Sequence, residues 1–470
     1  MDGQRSKPES NAGENPSSTE AAPVFDVAAG GDVAALNATI AAFYGTCGSV
    51  FKQKFNFSEG WAEVDFQVTP TVTLEATEIV LAHAREFAEA NVEAAAVEQA
   101  INELTASALT ATCSSVKCEF EIEGNKETVT ASVTCSASVE IEPNPGEANY
   151  LFHLVLSNPV ITVPNDPGLS KLLTNVVGPL LVKYLNEHVL DHIKIPTISL
   201  LGVDFAMPAI SEESTGGDDF LLGYTGLNPV VPPASGTSWP TGTLFAGVDA
   251  GVLNAVALNE LPHPSGQGGI DDPINLSWDY MVSFSPSFDL SPGAGKAISA
   301  TLGVGGGAGV TWHTPNGLPN ISFGASFSGS IEVTVGLEAR QSGGNEEIFL
   351  VIEDITNLNV EISIDGLPGP LQSLLKIIID AILAPVVAAI SVALHGYAIH
   401  VTTLKPIPLS FADLPAYQLV LENLQLSQIA GPGGVPLATV TALAAFQQVP
   451  TPSLSTSYSW SLRPSNPAAT

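Results

Sequence analysis

"FDVAAGGDVAALNATIAAF", residues 25–43, returns as "LFAGVDAGVLNAVALNEL", residues 244–261. Leu36-Asn37 reappears as Leu253-Asn254, and Trp61 of "GWAEVDFQVTPTVTL" as Trp278 of "SWDYMVSFSPSFDL", each 217 residues later. Pro70 and Pro286 match after a one-residue deletion. Further on, "SVEI" at Ser138 matches "SIEV" at Ser330. "LSKLLTNVV" from Leu169 resembles "LQSLLKIII" from Leu371, and "IKIPTISL" from Ile193 resembles "LKPIPLSF" from Leu404. The landmarks keep one order in both halves. Solenoid units run about 20–50 residues, so a period of roughly 200 signals two domains of ordinary size. The expected boundaries are a disordered leader over 1–22, a first domain over 23–228, a Pro-rich linker over 229–240, a second domain over 241–448 and a disordered tail over 449–470. The linker region carries four prolines, Pro229, Pro232, Pro233 and Pro240, enough for a semi-rigid connector.

Composition narrows the partners. Of 470 residues, 45% are hydrophobic and 13% charged, a globular balance. Fifteen basic against 48 acidic side chains give a net charge of −33. Such a field repels phosphate backbones and anionic membranes, which excludes nucleic acid and leaves transient membrane contact at most. The polar start of the chain lacks an apolar signal-peptide core. Cytoplasmic residence and export by a non-classical route both stay open.

Periodicity supplies the elements. Residues 32–44 place Val33, Leu36, Ile40 and Phe43 at helical spacing. "WAEVDFQVTPTVTL" alternates Val64, Phe66 and Val68 with polar neighbours, as a half-buried strand does. "ETVTASVTCSASVEIE", "ISFGASFSGSIEVTVGLEA" and "EEIFLVIEDITNLNVEISI" alternate over unusual lengths. Strands this long suit a large, curved antiparallel sheet with one solvated face. The first half also carries an Ala- and Glu-rich helical insert over residues 74–109.

Each half has one long apolar helix. Residues 169–192 offer Leu172, Leu173, Val176, Val177, Leu180, Leu181, Leu185 and Val189. Residues 371–394 offer Leu374, Leu375, Ile378, Ile379, Ile382, Leu383, Val386 and Val387. Pro179 and Pro385 are expected to kink or restart them. "AILAPVVAAISVAL" is uncharged but shorter than a bilayer span.

These features resemble the tubular lipid-binding superfamily, in its two-domain bactericidal/permeability-increasing form. The resemblance rests on "DVAALN" and "DAGVLN" opening each half. It rests also on "GLSKLLTNVVGPLLVKYLNEHVLDHIKIPTI" and "GLPGPLQSLLKIIIDAILAPVVAAISVALHGYAIHVTTLKPIPL". Accessory proteins of clostridial neurotoxin clusters share that fold. The resemblance implies an α+β chain of two tandem elongated domains, each a long helix packed along a curved antiparallel sheet. It further implies an apolar groove in each, holding the acyl chains of a phospholipid or fatty acid. The lining would come from Leu172, Leu173, Val176, Val177, Leu180, Leu181, Leu185, Leu374, Leu375, Ile378, Ile379, Ile382, Leu383 and Val386. Val64, Phe66, Val68, Phe284 and Phe288 would join them from the sheets. Endotoxin-binding relatives carry basic residues at a domain tip, where this chain has only the close pair Lys52 and Lys54. The alternative is an interaction protein with filled cores that binds a protein partner.

Other signals point away from chemistry. His188 and His192 stand at i, i+4, but no third ligand accompanies them, and a helix end accounts for them. "GVGGGA" from Gly303 fits a nucleotide-loop pattern without the helix that must follow, so a glycine-thinned strand is the expectation. The acidic clusters show no acid–base spacing and no G-x-S-x-G elbow occurs, so no enzyme activity, cofactor or metal is expected. Cys47, Cys113, Cys118 and Cys135 all lie in the first half. A hairpin about Gly124-Asn125 would bring Cys135 near Cys113 or Cys118, which leaves a disulfide and buried thiols as equal readings.

Overall fold

The computed structural model describes residues 25–449, except 59, 75–108, 123 and short stretches at 146–149, 198–199, 201–202, 204, 228–229, 231–237, 272–273, 315–317, 367–368 and 412–414. The leader, the tail, the Ala- and Glu-rich insert and most of the linker lie outside the described residues.

In chain order the first half holds β1 (Val27–Asp32), α1 (Val33–Cys47), β2 (Lys52–Phe57), β3 (Gly60–Phe66), β4 (Thr71–Leu74), β5 (Leu109–Ile122), β6 (Asn125–Pro143), β7 (Tyr150–Thr162), α2 (Pro167–His188), β8 (Ile195–Pro196), β9 (Ala209–Thr215) and β10 (Asp218–Thr225). The second holds β11 (Leu244–Val248), α3 (Ala250–Glu260), β12 (Ser265–Ile270), β13 (Leu276–Asp289), β14 (Ala297–Trp312), β15 (Ile321–Ser342), β16 (Asn345–Asp365), α4 (Leu375–Leu394), β17 (Ala398–Leu404), β18 (Ile407–Leu409), β19 (Tyr417–Ala430) and β20 (Pro436–Gln448).

Three sheets result, and every described strand pair is antiparallel. One runs β2-β3-β5-β6-β7-β8 with β4 on β5, and one runs β12 to β17 in sequence order. The third is central, β18-β19-β20-β11-β1-β10-β9. At its middle β1 and β11 pair from Val27↔Val248 to Gly31↔Leu244, so the two opening motifs meet edge to edge. The second-half sheet is curled. Helix α4 touches β12, β13 and β16, and α3 touches β13 and β17, strands from both ends of that sheet. Long strands with period-2 burial, such as β13, twist naturally into such a curl. Glycine in β14 allows it: at Gly306, φ is +134°, and a Cβ there would stand 2.2 Å from the Met281 carbonyl oxygen.

Both opening motifs use one device at matching positions. Asp32 caps α1 by accepting from Ala35 N–H, and Asp249 caps α3 by accepting from Val252 N–H. Asn37 reaches across to Val72, taking its N–H and donating to its carbonyl, while Asn254 accepts from Phe288 N–H. The two cores also interlock. Val27 and Leu200 of the first half join the second-half core, and Leu409, Phe411 and Leu419 of the second half join the first.

Four expectations change. Val68 lies outside the strands, between β3 and β4, half-exposed, with its carbonyl accepting the Cys113 thiol. The alternation therefore breaks at Gln67, and Val64 and Phe66 alone are buried. Helix α1 buries Ala35, Phe43 and Cys47 rather than Val33, Leu36 and Ile40, because it lies against β20 of the other half as well as β4. Neither long helix restarts at its proline: both continue past Pro179 and Pro385, since packing on either side of each proline outweighs one lost backbone bond. Helix α2 stops at His188, short of the 192 expected.

The cysteines are buried free thiols. Cys135 stands opposite Ala111 and Cys113 opposite Val133, two positions apart, and Cys118 faces Val129. A bulge between Cys113 and Val116 adds to the offset, so neither proposed pair meets. Burial pushes the Cys47 and Cys118 thiols up to about 11 and Cys135 up to about 12. Iodoacetamide at about pH 8 is therefore expected to label none of the four in the native chain and all of them in urea. Rapid native labelling of Cys135 would contradict this burial.

Candidate functional site

The long helices carry the candidate site. Along α2, Leu173, Val177, Leu181 and Leu185 form a buried stripe that Val189 continues. Along α4 the stripe is Ile378, Ile382, Val386, Ile390 and Leu394, all at 0% exposure. Each stripe repeats every four residues, the spacing of one helix face. Of the expected lining, Leu173, Val177, Leu181, Leu185, Ile378, Ile382 and Val386 sit in these stripes. Val176, Leu180, Leu374, Ile379 and Leu383 flank them half-buried, and Leu172 and Leu375 reach solvent. Phe284 and Phe288 belong to the second core, Val64 and Phe66 to the first.

The two helices are attached differently. Helix α2 is stitched to β7 and the residue that follows it. Thr174 bonds both the N–H and the carbonyl of Ile161, Ser170 does the same for Val163, and Asn186 for Leu156. Each pair satisfies backbone groups that an uncovered strand edge would leave open. Tyr184 adds a bond to the Val50 carbonyl. Helix α4 has no counterpart: its polar residues are Lys376, Asp380 and Ser391. It is held by nondirectional apolar contact. Ser170, Thr174 and Asn186 are not among the residues that the apolar pattern singles out. Their spacing at i, i+4 and i+16 on the flank of the stripe is the signal that was there to read.

The polar features are modest. A shallow cleft of about 380 Å³ lies at the start of α2, lined by residues including Asp166, Ser170 and Lys171, away from the stripe. Lys52 bonds Glu63 at 3.2 Å, and Lys54 lies 3.8 Å over the Trp61 ring, so this basic pair is engaged locally. Lys194 bridges Glu142 and Asp191 at 2.7 and 2.8 Å. Its bond to Asp191 is the larger cause raising its pKa. His188 packs on Tyr184 and His192 on Phe411, so the two rings do not converge. Among the described residues no group of three or more His, Cys, Asp or Glu side chains is placed to hold a metal ion. Gly303 and its neighbours lie within β14, paired on both sides.

No protein-family profile and no curated protein sequence matches the chain. Solved structures do. P47 from Clostridium botulinum A2 aligns over 90% of this chain and 99% of its own, at 10% identity and a TM-score of 0.38. P47 of Clostridium botulinum E1 covers the same shares, at 8% identity and a TM-score of 0.41. A lipopolysaccharide binding protein covers 91% of this chain and 99% of its own, at 12% identity and a TM-score of 0.31.

Proposed function

We propose that the chain is a non-enzymatic lipid-binding protein of the tubular lipid-binding type, with two tandem elongated domains, each a helix along a curved sheet. Acyl chains of a phospholipid or fatty acid would lie in the seam beside each long helix. The observation that carries this reading is surplus apolar surface. Beside the packed stripes, Val176, Leu180 and Ile379 stay half-buried, and Leu383 and Val387 pack against the second core with part of their surface still open, a second apolar row wider than one stripe. Burying an acyl chain there yields about 0.8 kcal/mol per methylene without any charged contact. The second-half seam is the better candidate, because α4 lacks the hydrogen-bonded stitches that fix α2.

A second reading has an observation of its own. Five α4 side chains at 0% exposure describe a filled core, as suits an interaction protein that binds a protein partner. Leu383→Gln separates the two. The position is half-buried, so the fold is expected to survive, while bound lipid per chain falls several-fold, at about 1–3 kcal/mol for a polar group set in an apolar seam. Unchanged lipid content in a folded variant would remove the seam from consideration.

A further inference from the structure

The two halves end differently. Strand pairing defines the last row of each outer sheet. In the first half the row runs Phe57–Gly60–Ile122–Asn125 across β2, β3, β5 and β6. In the second it runs Ile270–Leu276–Trp312–Ile321 across β12, β13, β14 and β15. Paired residues share a face, and Leu276 is buried, so this face is the interior of the curled sheet. The second-half row is apolar at all four positions, whereas the first contains a glycine and an asparagine.

The surroundings sharpen the contrast. A tight turn at Gly124 joins β5 to β6, while residues 313–320 join β14 to β15 and carry Leu318, 64% exposed. Ile321, in the last row itself, is 40% exposed. Strand β16 ends at Asp365 opposite Gly324, and α4 follows it in the chain and touches β12, β13 and β16. Its first turn leaves Leu375 and Ile377 at 39% and 53% exposure. One row further in, Trp278 is buried with its indole N–H unpartnered.

We propose that this end of the second half docks on an uncharged lipid surface, of the phosphatidylcholine type. The occupant follows from charge and side-chain type. A net charge of −33 opposes an anionic bilayer. Trp312 is half-buried in the last row, where an amphipathic ring sits well at headgroup level. Exposed Asp271, directly after Ile270, suits the outward choline cation of a zwitterionic headgroup. A two-fold contact with a second copy would instead set Asp271 near its own copy within a strongly anionic pair.

The test uses the full chain and cosedimentation with phosphatidylcholine vesicles. The wild-type chain is expected to partition onto them, and less so as phosphatidylserine is added. Leu318→Asp and Ile321→Asp, both at exposed positions, are expected to keep the native circular dichroism and to lower the partition constant roughly tenfold or more. Val392→Asp, 81% exposed near the opposite end of α4, is expected to leave it unchanged. No partition onto phosphatidylcholine, or equal loss in all three variants, would overturn the proposal. So would a vesicle-free dimer that Leu318→Asp dissociates, because the patch would then belong to a second copy. Vesicle partition reads this end of the molecule whether or not the seams carry lipid, so either idea can fail alone.

Discussion

Ile382→Ala is expected to destabilise the second half by about 2–5 kcal/mol. Ile382 is the middle of the α4 stripe and has no solvent exposure. Its helix touches strands from both ends of the curled sheet, β12 and β13 on one side and β16 on the other. A void at this position therefore has walls on several sides that cannot close together, and the cost tends to the upper part of the range. Proline at 385 already removes one backbone bond from the same helix, so lateral packing carries more of its stability. Urea unfolding followed by circular dichroism reads the effect as a lower midpoint with an unchanged slope. Ala384→Ser, on the exposed face of the same helix, serves as the control and is expected to stay within about 0.5 kcal/mol. A cost below about 1 kcal/mol for Ile382→Ala would mean that the helix is not packed as described.

Glu213→Ala is expected to cost about 3–5 kcal/mol, from two orphaned donors and a void. Glu213 lies on β9 at 4% exposure. Its carboxylate accepts the Tyr224 hydroxyl at 2.5 Å and the Trp239 indole N–H at 3.3 Å. Trp239 in turn stacks on Phe245 of β11, with ring centroids 5.1 Å apart. The carboxylate thus fastens the residues just before the second half to the outer face of the central sheet. Burial first, and then the bond to Glu213, hold the Tyr224 hydroxyl well above the usual phenol range. Glu213→Gln keeps one acceptor and is expected to cost less, about 1–3 kcal/mol. The readouts are the melting temperature and the emission of Trp239, which should shift to longer wavelength as the indole gains water. An unchanged melting temperature in Glu213→Ala would show that this triad does not hold the outer face.

Local pattern made much of the chain legible. The i, i+4 stripes of α2 and α4, the alternation of β13 and the turn at Gly124 are short-range features, and periodicity reports them directly. The paired motifs about Asn37 and Asn254 were visible as repeats, though their role as cross-links to Val72 and Phe288 was not. The central sheet was hidden. It joins Val27 to Val248 across more than two hundred residues, and no local signal encodes such a pairing. The same holds for Phe43, which packs on Phe411 and Phe446 of the other half. Val68 departs from the expectation because the apolar–polar alternation of the sequence continues for two residues after the strand ends at Phe66. Around the candidate seams, the apolar residues were legible but the difference in attachment was not. Thr174 and Asn186 act through the backbone of β7, and a sequence shows side chains without showing whose carbonyl they reach.

Native mass spectrometry of the purified full chain, repeated after denaturation, tests lipid binding most directly. The account predicts one or two extra masses of phospholipid or fatty-acid size per chain, lost on denaturation and reduced in Leu383→Gln. A bare polypeptide mass that also fails to take up added phospholipid or fatty acid would contradict it and leave the filled-core, partner-binding reading in its place.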